Sequence, residues 1–343
     1  MNGQDVVIFA PRRYGKSSLM WRVAQRLVRD RVLVAQVDLM TTPTKEKLAE
    51  KLAKAIHDDI ATPLFRAKER LRVFSGLRIA PVVTVDPEHG SLGFSFAAGH
   101  SREDVDATLE RLFDLPGRLG AERNRRVAVV LDEFQEVVEI DPHLPKLMRA
   151  VFQEQPEVAH VYLGSRRHMM RRIFSDENEP FWRSAKPMEL GVIAESDFAP
   201  YIEQRFRAID SLVLERVLAM THGHPYATQE LCYFLWEESR GGTAGLTELD
   251  RALADLLRSE HAHFSLIWDH AASTQRALLQ ALAVEPGRPY AGAYRHRHNL
   301  PAPSSVQRAV EALVGNELVG RGEDGDFRIV EPFFAEWIIR NER

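Results

Sequence analysis

The chain has 343 residues, of which 45% are hydrophobic and 27% charged, with a formal net charge of −4. This is ordinary composition for two or three globular domains, and it excludes a fibrous repeat, a long disordered chain and a wholly basic nucleic-acid binder. A single cysteine, Cys232, excludes a disulfide framework and fits a reducing compartment. No run approaches the ~20 apolar residues of a membrane span, and the N-terminus lacks the basic start and apolar run of a signal peptide, so a soluble, cytoplasmic protein without membrane contact is expected.

Val6 to Phe9 is a short, continuous apolar run with β-branched residues, which predicts a buried parallel strand. From Lys16 onward, Leu19, Met20, Val23, Ala24 and Leu27 recur at helical spacing. The segment between, Ala10 to Ser17, matches the phosphate-loop pattern at every fixed position except the first, where Ala10 replaces glycine. A loop that wraps an anion must turn its N–H groups inward, and the following helix offers its positive end. Pro11, Arg12, Arg13, Tyr14, Gly15, Lys16, Ser17 and Ser18 are therefore the candidate nucleotide-binding residues. Lys16 supplies a charge for the β- and γ-phosphates, and Ser17 a hydroxyl for Mg²⁺. The methyl of Ala10 predicts weaker binding rather than none.

Val32 to Val37, followed by Asp38, predicts a second strand, and 44–60 a helix. Residues 76–99 alternate on either side of Pro87–Gly90, which predicts a β-hairpin inserted between helices, a partner-binding feature or mere decoration. A helix follows over 101–122. Val127 to Leu131 is another β-rich run, ending in Asp132 and Glu133. Ligands of parallel sheets bind beyond the carboxyl ends of strands. Asp132 can hold Mg²⁺ through its water shell, and Glu133 can orient or deprotonate an attacking water. Asp132 also suits a helix N-cap, and the two readings coexist.

A helix over 142–154 leads to a strand at His160 to Leu163, which ends in Gly164-Ser165-Arg166. Ser165 and Arg166 are candidates to sense the γ-phosphate; the competing reading is a solvated arginine run with Arg167, Arg171 and Arg172. Arg183 is a further catalytic candidate, and Met188 to Val192 a last short strand. These elements define an α/β fold, a parallel sheet with helices on both faces.

Residues 196–240 read as helical, with Ser196 as N-cap and Gly241-Gly242 as stop, and 246–270 continue as helix. Helices at Gln275–Val284 and Ser304–Val314, a strand pair over 318–330 and a closing helix form a winged-helix pattern. From 286 to 343 eight arginines face eight acidic residues, and the wing tip carries Glu323, Asp324 and Asp326. Protein contact or autoinhibition therefore stands beside DNA contact as an expectation. The His261/His263 and His296/His298 pairs lack supporting metal ligands and read as solvated side chains. Cys232 reads as a small core residue.

With the strings APRRYGKSSL, VAVVLDEFQE, VYLGSRRHMMRRIF, PFWRSAKPMEL and THGHPYATQELCYFLW in this order, the chain resembles the prokaryotic P-loop ATPases of the AAA+/STAND group, of the "archaeal ATPase" type related to archaeal replication initiators. The resemblance implies an ATP-driven switch with ATP and Mg²⁺ as cofactors. It implies a nucleotide domain over 1–194, a helical lid over 195–272 and a winged helix over 273–343. Carried over by motif, Lys16 and Ser17 match the phosphate and magnesium ligands, and Asp132 and Glu133 the metal-holding and catalytic acids. Ser165 and Arg166 match the sensor position, and His224-Pro225 the Gly-x-Pro element near the nucleotide. The family usually has a segment with adenine contacts before the first strand, where this sequence shows about five residues. Phosphate binding is thus the firmer expectation. Partners implied are DNA through the winged helix, a protein, or further copies of the chain.

Overall fold

A computed structural model describes residues 4–64, 71–86, 91–97, 99–240, 242–322 and 324–342. The expected hairpin turn at 87–90, Gly241 and Glu323 lie outside the described residues. The chain divides into two compact units, one of residues 1–10 and 16–190, the other of residues 11–15 and 191–343.

The first unit is built on a five-stranded parallel sheet in the order β2-β5-β6-β1-β7. Its strands are β1 (Val6–Phe9), β2 (Leu33–Asp38), β5 (Val127–Asp132), β6 (Val158–Gly164) and β7 (Lys186–Glu189). Alternate residues point to opposite faces, so each strand feeds two cores. Val7, Ala35, Val37, Val129, Leu131 and Tyr162 pack with the helices Lys45–Ala55, Arg102–Glu122, Leu144–Phe152 and Arg167–Ser175. Ile8, Val34, Ala128, Val130 and Leu163 pack with Met20, Ala24 and Leu27 of the helix Lys16–Arg29. Both faces of every central strand are buried, which explains why those strands read as continuous apolar runs.

The last strand lies at Lys186–Glu189 rather than at Met188–Val192, and all four of its residues are exposed. It is an edge strand, where Pro187 is tolerated because one side of the strand needs no ladder partner. The inserted hairpin consists of β3 (Val82–Val85) antiparallel to β4 (Leu92–Ser95). Phe94 anchors it, with ring contacts to His57 and Phe74 at 5.4 and 5.3 Å.

In the second unit, the stretch expected to be helical over 196–240 is three helices, Glu195–Glu203, Ser211–Thr221 and Pro225–Ser239, interrupted by the short parallel strand β8 (Ala208–Ile209). The first starts at Ala194, and Ser196 lies inside its first turn rather than at the cap. Asp210 caps the second by accepting from Leu212 N at 3.0 Å, and left-handed residues at His222 and Arg240 end the second and third. Strand β9 (Thr243–Ala244) pairs with β8, and a 25-residue helix, Leu246–His270, follows.

The winged-helix elements are the helices Ser273–Val284, Gly292–Arg297 and Pro303–Gly315, the antiparallel strands β10 (Val319–Arg321) and β11 (Phe327–Ile329), and the helix Pro332–Asn341. The short helix Gly292–Arg297 is an addition to the expected pattern. One hydrophobic core runs from Phe198 to Ile338. Phe264 and Trp268, near the end of the 25-residue helix, make ring contacts with Trp337, which is 2% exposed. Residues on both sides of position 273 contribute to this core. Among the described residues no helix is long and apolar enough to cross a membrane.

Candidate functional site

Three of the strand ends bring the chemistry of the first unit together. Lys16 and Ser17 open the helix that follows β1, Asp132 closes β5 with Glu133 after it, and Ser165 follows β6. Ser17 Oγ donates to Asp132 Oδ2 at 2.6 Å, across 115 residues of sequence. Lys16 is buried, and its Nζ donates to the carbonyl of Ala10 at 2.9 Å. Ser18 is exposed one position further into the helix. Burial pushes the Asp132 carboxyl above its ordinary value, the Glu133 and Asp38 charges adding to the effect and the Ser17 hydroxyl opposing it. A carboxyl raised in this way is relieved by a cation.

Glu133 has a left-handed backbone, φ 53°, which a side-chain-bearing residue adopts at a cost of about 1 kcal/mol. Ser165, fully buried, donates from Oγ to Glu133 Oε2 at 2.7 Å. Gln135 donates from Nε2 to the same oxygen at 2.5 Å. Gln135 is absent from the sequence-derived site. Its only sequence signal is a polar residue inside the string LDEFQE, at a position the fold buries completely.

Arg166 is held elsewhere, with its guanidinium at 3.2 Å from Glu139 and 3.7 Å from Glu136. The Arg183 guanidinium lies over the Trp182 ring at 5.2 Å, and its backbone is left-handed. Among the described residues no hydrogen bond or ion pair joins Arg166 or Arg183 to Ser17, Asp132 or Glu133.

The loop residues Pro11–Gly15 belong to the second unit. There the Arg13 guanidinium sits 4.4 Å from the Tyr226 ring centroid and 3.5 Å from Glu331 Oε2. Arg12 lies 3.6 Å from Glu317, and the Tyr14 ring meets the His224 ring edge-on at 4.7 Å. Arg13 (φ 65°) and Gly15 (φ 80°) both take left-handed backbone, and glycine carries no strain there. His224 is buried and caps the helix Pro225–Ser239, its Nδ1 accepting from Ala227 N at 3.2 Å, with Pro225 at the first helical position. Burial lowers the His224 imidazole to about 4. Burial also raises the Glu331 carboxyl to about 7, against the opposing charge of Arg13.

Among the described residues no cluster of three or more His, Cys, Asp or Glu side chains could hold a metal. Ser17 and Asp132 offer hard oxygen donors, which suits magnesium, an ion that keeps several waters and takes one or two protein ligands. His261, His263 and His296 are exposed and His298 is half-buried; His261 accepts from Trp337 Nε1 at Nδ1, 3.0 Å away, and His298 pairs with Glu285. Cys232 is half-buried and packed against the core, its thiol pushed up to about 12 by burial.

A family model described as a "probable winged helix domain" matches residues 262–340. No curated protein matches the sequence. A Walker-type ATPase of Pyrococcus abyssi superposes with a TM-score of 0.66 at 15% identity, over 97% of this chain and 90% of that one. The ORC2 protein of Aeropyrum pernix, in ADPNP–ADP complexes, gives a TM-score of 0.54 at 12% identity, over 98% and 86%. The chain has the fold of the P-loop AAA+ ATPases, with a C-terminal winged helix domain.

Proposed function

We propose that this chain binds Mg-ATP and hydrolyses it slowly, acting as a nucleotide-dependent switch. The observation that carries the proposal is the 2.6 Å hydrogen bond from Ser17 to Asp132, which joins the start of the helix after β1 to the end of β5, one strand removed in the sheet, where an anion and a divalent ion can share one crevice. Lys16 and the N–H groups that open the helix Lys16–Arg29 bind the phosphates. Ser17 and Asp132 would hold a magnesium ion, which would neutralise charge on the phosphates. Glu133 takes a proton from water as the water oxygen attacks the terminal phosphorus. The bond to the leaving diphosphate oxygen breaks, and ADP and inorganic phosphate result.

The switch reading is supported by the loop contacts. Arg12, Arg13 and Tyr14 touch Glu317, Glu331, Tyr226 and His224, so a change in the loop reaches residues 195–272, proposed as a lid, and 273–343. We assign the winged helix to a protein partner or to further copies of the chain. Its arginines are engaged internally: Arg288 pairs with Asp326 at 2.9 Å, Arg328 with Asp324 at 2.5 Å and Arg297 with Glu285 at 2.5 Å. DNA contact through this domain is the second reading, which the winged helix domain match favours. A protein-interaction module whose ATP site is mainly structural is the third.

Phosphate release and ATP binding, each with and without DNA, test these readings. Lys16→Ala is expected to abolish binding, and Glu133→Gln to retain bound ATP while turnover falls at least about 100-fold. Full turnover in both variants would refute the site. ATP binding without turnover, unchanged by Glu133→Gln, would favour the structural site. Strongly salt-dependent DNA affinity would move the winged helix to the second reading.

A further inference from the structure

We infer that Gln135 is a positioning residue for hydrolysis, its amide fixing the Glu133 carboxylate so that one carboxylate oxygen is kept for water. The inference rests on Glu133 acting on water, as proposed above.

Gln135 sits at the start of the helix Glu136–Ile140 and makes no side-chain capping bond there. Its side chain turns back to Glu133 instead. An ionised carboxylate only accepts, so the atom that faces it must be the amide nitrogen. Nε2 and Ser165 Oγ both donate to Glu133 Oε2, at 2.5 and 2.7 Å, from the ends of two adjacent strands. Two donors on one oxygen fix the plane of the carboxylate. Oε1 of Glu133 accepts no hydrogen bond among the described residues, and it is the oxygen available to take a proton from water.

The surroundings of Gln135 argue against a purely structural role. The residue is fully buried, and its Oε1 has no hydrogen-bond partner. A buried, unsatisfied acceptor costs folding stability, so an apolar side chain of similar length would serve the fold better. Room for the amide comes from Gly164, where a Cβ would lie 2.7 Å from Gln135 Oε1 and 2.4 Å from Met170 Cγ. The left-handed backbone of Glu133 is part of the same arrangement, since it sets the side chain between the two donors. A strained backbone, an unsatisfied amide and a side-chain-free strand end all converge on one carboxylate oxygen.

The test uses the full chain with Mg-ATP. Gln135→Met and Gln135→Leu keep the volume and remove the donor. We expect kcat to fall about 10- to 100-fold, with KM, the ATP affinity and the unfolding midpoint nearly unchanged or the midpoint raised. In a Glu133→Asp background, whose shorter side chain withdraws the carboxylate from the amide, Gln135→Met should change kcat less than about twofold. An equal loss in both backgrounds would show a structural effect and overturn the inference. So would an unchanged kcat in both Gln135 variants while Glu133→Gln abolishes turnover, and that outcome leaves the proposed function standing. No turnover in the unaltered chain, or full turnover in Glu133→Gln, would overturn both.

Discussion

Acid should weaken the second unit through His224, and the size of the effect follows from where that ring sits. The imidazole is buried, accepts Ala227 N at Nδ1 and lies against Tyr14, and burial lowers it from 6.5 to about 4. The fold thus favours the neutral ring. Its contribution is complete above pH 6.5 and is lost as the pH falls towards 4. Lowering the ring from 6.5 to about 4 amounts to about 3 kcal/mol once it is fully protonated in both states, and to about 2 kcal/mol at pH 5. Protonation at Nδ1 also removes the acceptor that caps the helix Pro225–Ser239. His224→Asn keeps a side-chain acceptor at the cap and removes the titration. Urea unfolding at pH 7.5 and pH 5.0, followed by the fluorescence of the five tryptophans, gives the comparison. The unaltered chain should lose about 2 kcal/mol more than His224→Asn between the two pH values. Equal losses would mean that the buried-neutral assignment of His224 is wrong.

Glu331 should act with the opposite sign. A carboxyl raised from 4.5 to about 7 by burial makes the folded state hold its proton more tightly, so stability falls as the pH rises from 4.5 to 7 and is level above that. Glu331→Gln should therefore relieve up to about 3 kcal/mol at pH 8, a figure that already includes the opposing charge of Arg13. Melting temperatures at pH 5 and pH 8 would show a smaller decline in the variant, and an identical decline would contradict the assignment. Trp337→Ala should cost about 3–5 kcal/mol by opening the core among Phe264, Trp268 and Phe334. Hydrogen exchange should then accelerate together in Leu249–Leu257 and Val306–Leu313. Acceleration confined to the second of these would argue against a shared core.

The central sheet was legible in the sequence because its inner strands are buried on both faces and so carry uninterrupted apolar runs, as in Val6–Phe9 and Val127–Leu131. Residues 246–270 were expected to be helical, and they form one helix of 25 residues. The edge strand Lys186–Glu189 has no buried face to leave such a trace, and its expected position slipped towards the more apolar residues after it. Gly292–Arg297 is too short to show a period, and its arginines and histidine resemble a loop. Ser196 looks like a cap by residue type, but the chain enters the helix two residues earlier. At the candidate site, the pairing of Ser17 with Asp132 follows from motif and strand order, because both define which ends of the sheet meet. The turn of Gln135 towards Glu133 does not. It depends on a left-handed backbone at Glu133 and on space beside Gly164, and neither is encoded in spacing. The common core of 198–338 was also hidden, since a periodic apolar face does not declare its partner.

That common core has a practical consequence. The helix Leu246–His270 places Leu249 and Leu256 among the helices around Val217 and Leu231, and Phe264 and Trp268 among the aromatic rings of the closing helix. The helix runs unbroken over 25 residues between these two groups of side chains. Cutting the chain after residue 272 would leave a sticky, half-dressed fragment on either side of the break, and the pair would be worth cloning only as one piece.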